Sequence, residues 1–209
     1  MTAKGDIGLS RQAKVGAASR RETRNRLRQA AAEEFAEHGY ARATVGRIAQ
    51  RAGVTVQTLY LAWGSKRELL RAYLTASLAE GLGPPEDVGS LFEGKTEREV
   101  IALLARLVGK TSETAGTGWK LYRDAAATDA EIAADWDQLQ SLRRGTMETV
   151  VAHIPDDALR PGLGREAARD TAWAIASPES YELLVRRSGY STDEFIRWMD
   201  ATLTAALLG

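Results

Sequence analysis

The sequence predicts an all-α fold, and three observations carry that prediction. Apolar residues recur at helical spacing along most of the chain, and no segment alternates convincingly like a strand. Ser or Thr with Glu three residues later, a pairing that satisfies free N–H groups at a helix start, stands ahead of five of these stripes. Stretches rich in Gly and Pro divide the stripes from one another.

Taken in order, residues 1–18 lack periodicity and are expected to form a flexible basic arm. Leu27, Ala30, Ala31 and Phe35 share one face of a first helix, with Ser19 and Glu22 as its start signal. Thr44 can cap a short helix that buries Val45, Ile48 and Ala49 and is closed by Ala52. Gly53 suits a sharp turn, and Thr55 can cap a second short helix with Leu59 inward. Two short helices about a Gly turn are the helix-turn-helix pattern, whose second helix lies in the DNA major groove. Gly39 and Gly64 punctuate the same region, and Ser65 with Glu68 opens a helix over about 66–80 carrying Leu69, Leu70, Tyr73 and Leu74.

Residues 81–95 read as a loop. Thr96 with Glu99 then precedes Val100, Ile101, Leu104, Leu107 and Val108, and Thr128 with Glu131 precedes Ile132, Trp136, Leu139, Leu142, Thr146 and Val150. Residues 155–164 read as another loop, followed by an amphipathic helix near 166–176. Pro178 after Ser177 looks like a first-turn proline behind its cap. Gly189 separates two late helices, and Ser191 with Glu194 opens the last, with Phe195, Met199, Thr202, Leu203, Ala206 and Leu207 on one face.

Composition narrows the function. The 209 residues suit one or two ordinary domains, with 44% hydrophobic and 27% charged residues. No cysteine is present, which excludes disulfides, thiolate metal sites and Cys nucleophiles. Without a secretory signal or an apolar run of membrane-spanning length, a cytoplasmic protein is expected. The zero net charge hides a division: 14 Lys and Arg stand against 7 Asp and Glu in residues 1–80, and 14 against 21 in residues 81–209. A basic part joined to an acidic one suggests that the first meets a polyanion and the second stays clear of it.

Phe35, Gly39, Thr44, Ile48, Ala49, Ala52, Gly53, Val54, Leu59, Tyr60, Ser65, Lys66, Leu69 and Leu70 together resemble the TetR (tetracycline-repressor-like) family of transcriptional regulators. The likeness covers about residues 20–74, and residues 177–208 also look like the end of one group of these regulators. It implies an amino-terminal three-helix DNA-binding domain over 19–65 and a carboxy-terminal helical domain over 66–209 for effector binding and dimerisation. The recognition helix then corresponds to Thr55–Leu61. Val56, Gln57 and Leu61 would reach base edges, and Thr55 and Thr58 base or phosphate. Thr44, Tyr60 and Lys66 would hold phosphates. Gln57 is the main specificity residue, because an amide side chain can bond adenine bidentately. The cluster Arg20, Arg21, Arg24, Arg26 and Arg28 reads either as a solvated helix face or as a phosphate track.

In the acidic part, Trp119, Tyr122, Trp136, Leu139, Met147 and Trp173 are the expected lining of a pocket for an apolar or aromatic effector. Trp173, Phe195, Trp198, Met199, Leu203 and Leu207 are the expected dimer interface, with intramolecular core as the other reading. Arg123 and Arg143 could orient an anionic ligand, but are expected at the surface.

The expected function is a homodimeric DNA-binding regulator, a repressor released from a palindromic double-stranded operator by a small molecule. An apolar-ligand carrier with an incidental basic end is the alternative. No cofactor, metal, membrane partner or catalytic residue is expected. Residues 89–96 (GSLFEGKT) match the phosphate-loop pattern, but no strand precedes them, and an interhelical loop with Thr96 capping the next helix is the better reading. His38 and His153 lack ligand-spaced partners, and Asp124, Asp129, Glu131, Asp135 and Asp137 read as a solvated face.

Overall fold

The computed structural model describes residues 5–82 and 88–209, and the regular structure of those residues is helical. The chain forms two compact units that part between Thr75 and Ala76.

In the first unit, α1 runs Gly5–Arg42, α2 Val45–Arg51 and α3 Val56–Trp63, and α4 (Lys66–Leu82) begins there. Helix α1 corrects the expected flexible arm: it is helical from residue 5, with residues 1–4 outside the described residues. Ser19 therefore lies inside a helix and caps nothing. The segment before Leu27 has five Arg and three Ala over residues 5–26, which favour helix without a periodic apolar stripe, so periodicity could not reveal it. Gly39, at φ 72°, breaks the helix and redirects the chain towards α2.

Leu27, Ala30, Ala31 and Phe35 from α1 are buried with Ile48, Ala49, Ala52, Leu59, Leu69, Leu70 and Leu74. Each buried Leu or Phe contributes about 1.5–3 kcal/mol. The division falls ten residues beyond the expected 65/66 boundary. The start of α4 is held by this unit: Lys66 donates to the Tyr40 and Ala43 carbonyls at 2.9 and 3.0 Å.

The second unit holds α5 (Glu97–Ala126), α6 (Ala130–Val151), α7 (Arg165–Ile175), α8 (Pro178–Tyr181) and α9 (Thr192–Leu207). Helix α5 packs against α6 and α9, and α7 against α6 and α9. Full capping boxes open α5 at Thr96/Glu99 and α9 at Ser191/Glu194, and Ser177 caps α8 ahead of Pro178. At α6 the cap is Asp129, not the expected Thr128. Its carboxylate accepts from the Glu131 and Ile132 amides at 3.0 and 3.2 Å, which an ionised side chain does well beside a helix dipole. A π-helical turn, Glu182–Arg187, follows α8.

The phosphate-loop look-alike has another use. Gly89–Phe92 is a 3-10 turn whose Phe92 is buried in the core of this unit, while Thr96 caps α5. The acidic run is likewise not all solvated: Asp135 is buried and accepts from the Tyr122 hydroxyl at 3.2 Å.

Close approach of α5 and α9 requires Gly109, where an added Cβ would lie 2.4 Å from Ile196 Cγ1. Gly109→Val is expected to lower unfolding free energy by about 1–3 kcal/mol, through overpacking at this crossing. The urea midpoint measures it, and an unchanged midpoint would contradict the crossing described.

Candidate nucleic-acid interface and ligand cavity

The two short helices are set by their caps and by α1. Thr44 accepts from the Arg47 amide and Thr55 from the Thr58 amide, so each hydroxyl fixes a helix start. Gly53, at φ 65°, makes the turn between them. Arg26 of α1 donates to the Ala52 and Gly53 carbonyls at 2.7 and 3.3 Å, satisfying acceptors at the end of α2. At the far end of α3, Arg24 donates to the Ala62 carbonyl at 2.6 Å and lies 3.9 Å over the Trp63 ring. The Trp63 indole N–H returns a bond to the Arg24 carbonyl at 3.2 Å. Two arginines of the expected phosphate track are thus braces for the motif.

A charged clamp ties α2 to α1. Glu34 is buried at 1% exposure, and its carboxylate accepts from Arg47 Nε and, at 3.4 Å, from Arg51 Nη2. Arg51 also forks onto Glu37 at 2.6 and 2.7 Å and reaches Glu33 at 3.3 Å. Bonds from Gln29 and Arg51 hold the Glu33 carboxyl below its ordinary value, and Arg51 does the same for Glu37. The same contacts raise the Arg51 guanidinium above its own. His38 lies within 3.8 Å of Glu34 and 3.6 Å of Glu37, so it does have ligand-spaced neighbours, contrary to the expectation, but arginines already occupy both carboxylates.

Braced in this way, α3 exposes Val56, Gln57, Tyr60 and Leu61, with Leu61 at 82% and Tyr60 at 50% exposure. Thr58 is half-buried and shares a 2.9 Å hydroxyl contact with Thr55, while Leu59 is fully buried. Thr44, Thr55 and Thr58 therefore have helix-starting bonds besides any other role. Lys66 differs most from its expected part: its ammonium serves the Tyr40 and Ala43 carbonyls and lies 4.0 Å over the Tyr40 ring.

The second unit contains an apolar cavity of about 300 Å³. Of the expected lining, Trp119, Leu139 and Met147 face it. Tyr122, Trp136 and Trp173 do not: Tyr122 is fully buried on Asp135, and the two tryptophans line a separate outer cleft. All six were expected on helices around one pocket, but neighbouring positions on those helices serve different spaces. Leu104, Leu107, Val108 and Val150 complete the apolar wall.

Arg143, expected at the surface, is half-buried and lines both cavity and cleft. It donates to Gln140 Oε1 at 2.6 Å and to the Ala176 and Trp173 carbonyls at 3.0 and 3.4 Å. Burial pushes its guanidinium below the usual value, with the Glu179 charge opposing.

The expected dimer residues also need correction. Phe195, Met199, Leu203 and Leu207 belong to the core of the single chain, because the apolar stripe of α9 faces α5 and α7. Trp173 and Trp198 are half-buried and pack at the edge of that core.

Residues 27–73 match the sequence model described as bacterial regulatory proteins, tetR family. A curated relative, an uncharacterized HTH-type transcriptional regulator of Mycobacterium tuberculosis, is 32% identical over 90 residues, 43% of this chain and 47% of the relative. The chain thus matches about half the length of the curated relatives. Among solved structures, NalD, the secondary repressor of the MexAB-OprM multidrug efflux pump in Pseudomonas aeruginosa, is similar with TM-score 0.69 at 19% identity, over 90% of this chain and 96% of that one. The complex of triclosan with SmeT, the repressor of a Stenotrophomonas maltophilia multidrug efflux pump, gives 0.68 at 20%, over 90% and 92%. A TetR transcription regulator from Haloarcula marismortui gives 0.65 at 21%, over 90% and 98%. At these identities the likeness is one of fold.

Glu34→Gln is expected to lower the stability of the first unit by about 1–3 kcal/mol, since both arginines lose a charged acceptor. Differential scanning calorimetry measures it, and an unshifted transition would refute the clamp. The depressed Glu33 and Glu37 carboxyls stabilise the fold fully above their ordinary value of 4.5. That contribution is lost as pH falls through their lower folded values, and an acid titration of the unfolding transition should show it.

Proposed function

We propose that the chain, whose residues 27–73 are a tetR-family regulatory domain, is a sequence-specific DNA-binding transcriptional regulator acting as a repressor. It works as a homodimer on a near-palindromic operator and is released by a small molecule held in its second unit. The observation that carries this reading is the exposed face of α3. A short helix shows Val56, Gln57, Tyr60 and Leu61 to solvent while its other side is capped, stacked and buried. An 82%-exposed Leu at the end of a braced helix has no use within the chain, but it can meet a thymine methyl in a major groove. Gln57 and the Tyr60 hydroxyl make no hydrogen bond among the described residues, which leaves an amide for a base edge and a phenol for a phosphate.

Two such helices related by a two-fold axis would read half-sites about 34–36 Å apart, or a multiple of it. Since the apolar stripe of α9 is used within the chain, pairing falls to the outward sides of α7 and α9, including Trp198. The apolar cavity supports release by an effector, which acts only by preferring one state of the dimer. Tenfold preference supplies about 1.4 kcal/mol. The same cavity favours the carrier reading, and salt separates the two: DNA binding should weaken about tenfold or more as salt rises several-fold, whereas apolar binding should not respond.

Selection of bound sites from random DNA tests the proposal, with an inverted repeat as the expected result. On the selected site, Tyr60→Phe should weaken binding to all sequences, and Gln57→Ala should relax preference at a base pair in each half-site, by about 1–3 kcal/mol of discrimination. Wild-type behaviour of both variants in a gel-shift titration would remove α3 from the interface.

A further inference from the structure

Arg143 is a cation without a carboxylate. Among the described residues its guanidinium has three partners, Gln140 Oε1 and the carbonyls of Trp173 and Ala176, all neutral, and no acidic oxygen lies within 4 Å. Other half-buried arginines of this unit are served differently. Arg169 sits on Asp170 at 2.9 Å, and Arg123 has Asp124 at 3.8 Å and Glu179 at 4.0 Å. A charge withdrawn from water is costly unless a counter-charge offsets it, and here the groups at hydrogen-bond distance are all dipoles, with the Glu179 charge acting only from beyond 4 Å.

Its place makes the missing counter-charge informative. Arg143 lines the apolar cavity together with Leu139, Leu142, Met147 and Ala176, and it lines the outer cleft with Trp136 and Trp173. Its guanidinium is 5.8 Å from the Trp119 ring and 6.0 Å from the Trp173 ring. The Trp173 indole N–H is buried and has no acceptor among the described residues, which leaves one donor unmet beside Arg143, while Asp137 and Glu179 lie on the outer-cleft side. Leu142, exposed at 63%, stands at the rim. The remaining wall is almost wholly aliphatic and aromatic, with Thr111, Ser112 and Thr146 as its small hydroxyl residues.

We propose that the cavity takes an amphipathic organic acid, whose carboxylate pairs with Arg143 and whose apolar body fills the space among Leu104, Leu107, Val108, Met147 and Val150. Carboxylate is the fitting anion because a guanidinium presents paired donors in a fixed plane that two oxygens can match. The cavity volume, at the lower end of the roughly 300–1,000 Å³ of small-molecule sites, suits a medium-length chain or a fused ring rather than a large ligand. This inference rests on the reading of the cavity as the effector site and names the class of effector.

The test is calorimetric titration of the full-length protein with decanoate, decanol and decylammonium, each below its micellar concentration. Decanoate should bind about tenfold or more tightly than decanol, and decylammonium more weakly than either. Arg143→Gln should remove the gap between acid and alcohol by weakening decanoate about tenfold more than decanol. Leu139→Trp, which fills the cavity, should weaken both. The wild-type comparison stands by itself should Arg143→Gln fail to fold. Decanol or decylammonium binding as tightly as decanoate, a gap that survives Arg143→Gln, or no binding of any probe overturns the proposal. Gel shifts on the selected operator without ligand report on DNA binding separately, so loss of the acid site and loss of the regulator reading give different results.

Discussion

The Glu34 carboxylate, buried on α1 and shared by Arg47 and Arg51 of α2, is the constraint on which the exposed face of α3 depends. A carboxylate held away from water is unfavourable alone, and its two guanidinium partners make it a fixed point instead. Because both arginines leave from one short helix, the ion pairs set where α2 lies on α1. Glu37 and Glu33 extend the same contact towards solvent, where it is weaker and more open to salt. Arg26 then holds the turn after α2, and Arg24 with Trp63 holds the end of α3. The exposed face of α3 follows from these attachments. Its outward residues can be chosen for what they touch, because none is needed to keep the helix in place.

Local rules made much of this legible in the sequence. Thr44, Thr55, Thr96, Ser177 and Ser191 cap helices because a hydroxyl and an amide three residues on need nothing from the rest of the chain. Leu27, Phe35, Ile48 and Leu59 were readable as core from their spacing, and all four are buried. Exposure of Gln57 and Leu61 was implied by the family resemblance, and both are exposed.

Less legible was whatever depends on a distant partner. Spacing says which side of α9 is covered, not what covers it, so Phe195, Met199, Leu203 and Leu207 could be assigned to a second chain when α5 and α7 of the same chain cover them. Glu34 gave one faint signal, as part of the acidic trio Glu33, Glu34 and Glu37 in a basic region. Lys66 and Arg143 both serve backbone carbonyls distant in sequence, and no side-chain pattern announces those. The cavity is a property of packing. Trp119 and Trp136 meet edge to face at 5.8 Å, yet one lines it and the other lines the outer cleft.

Helices α2 and α3 are seven and eight residues long, shorter than a helix can sustain in water by itself. Their persistence is therefore on loan from α1, through Arg24, Arg26 and the acidic trio. Backbone amides of α3 should accordingly exchange with deuterated solvent at a rate governed by how often those side chains let go, rather than by the global opening of the chain. Under the proposed function, fidelity towards a base sequence would then be set as much by α1 as by the helix that meets the bases.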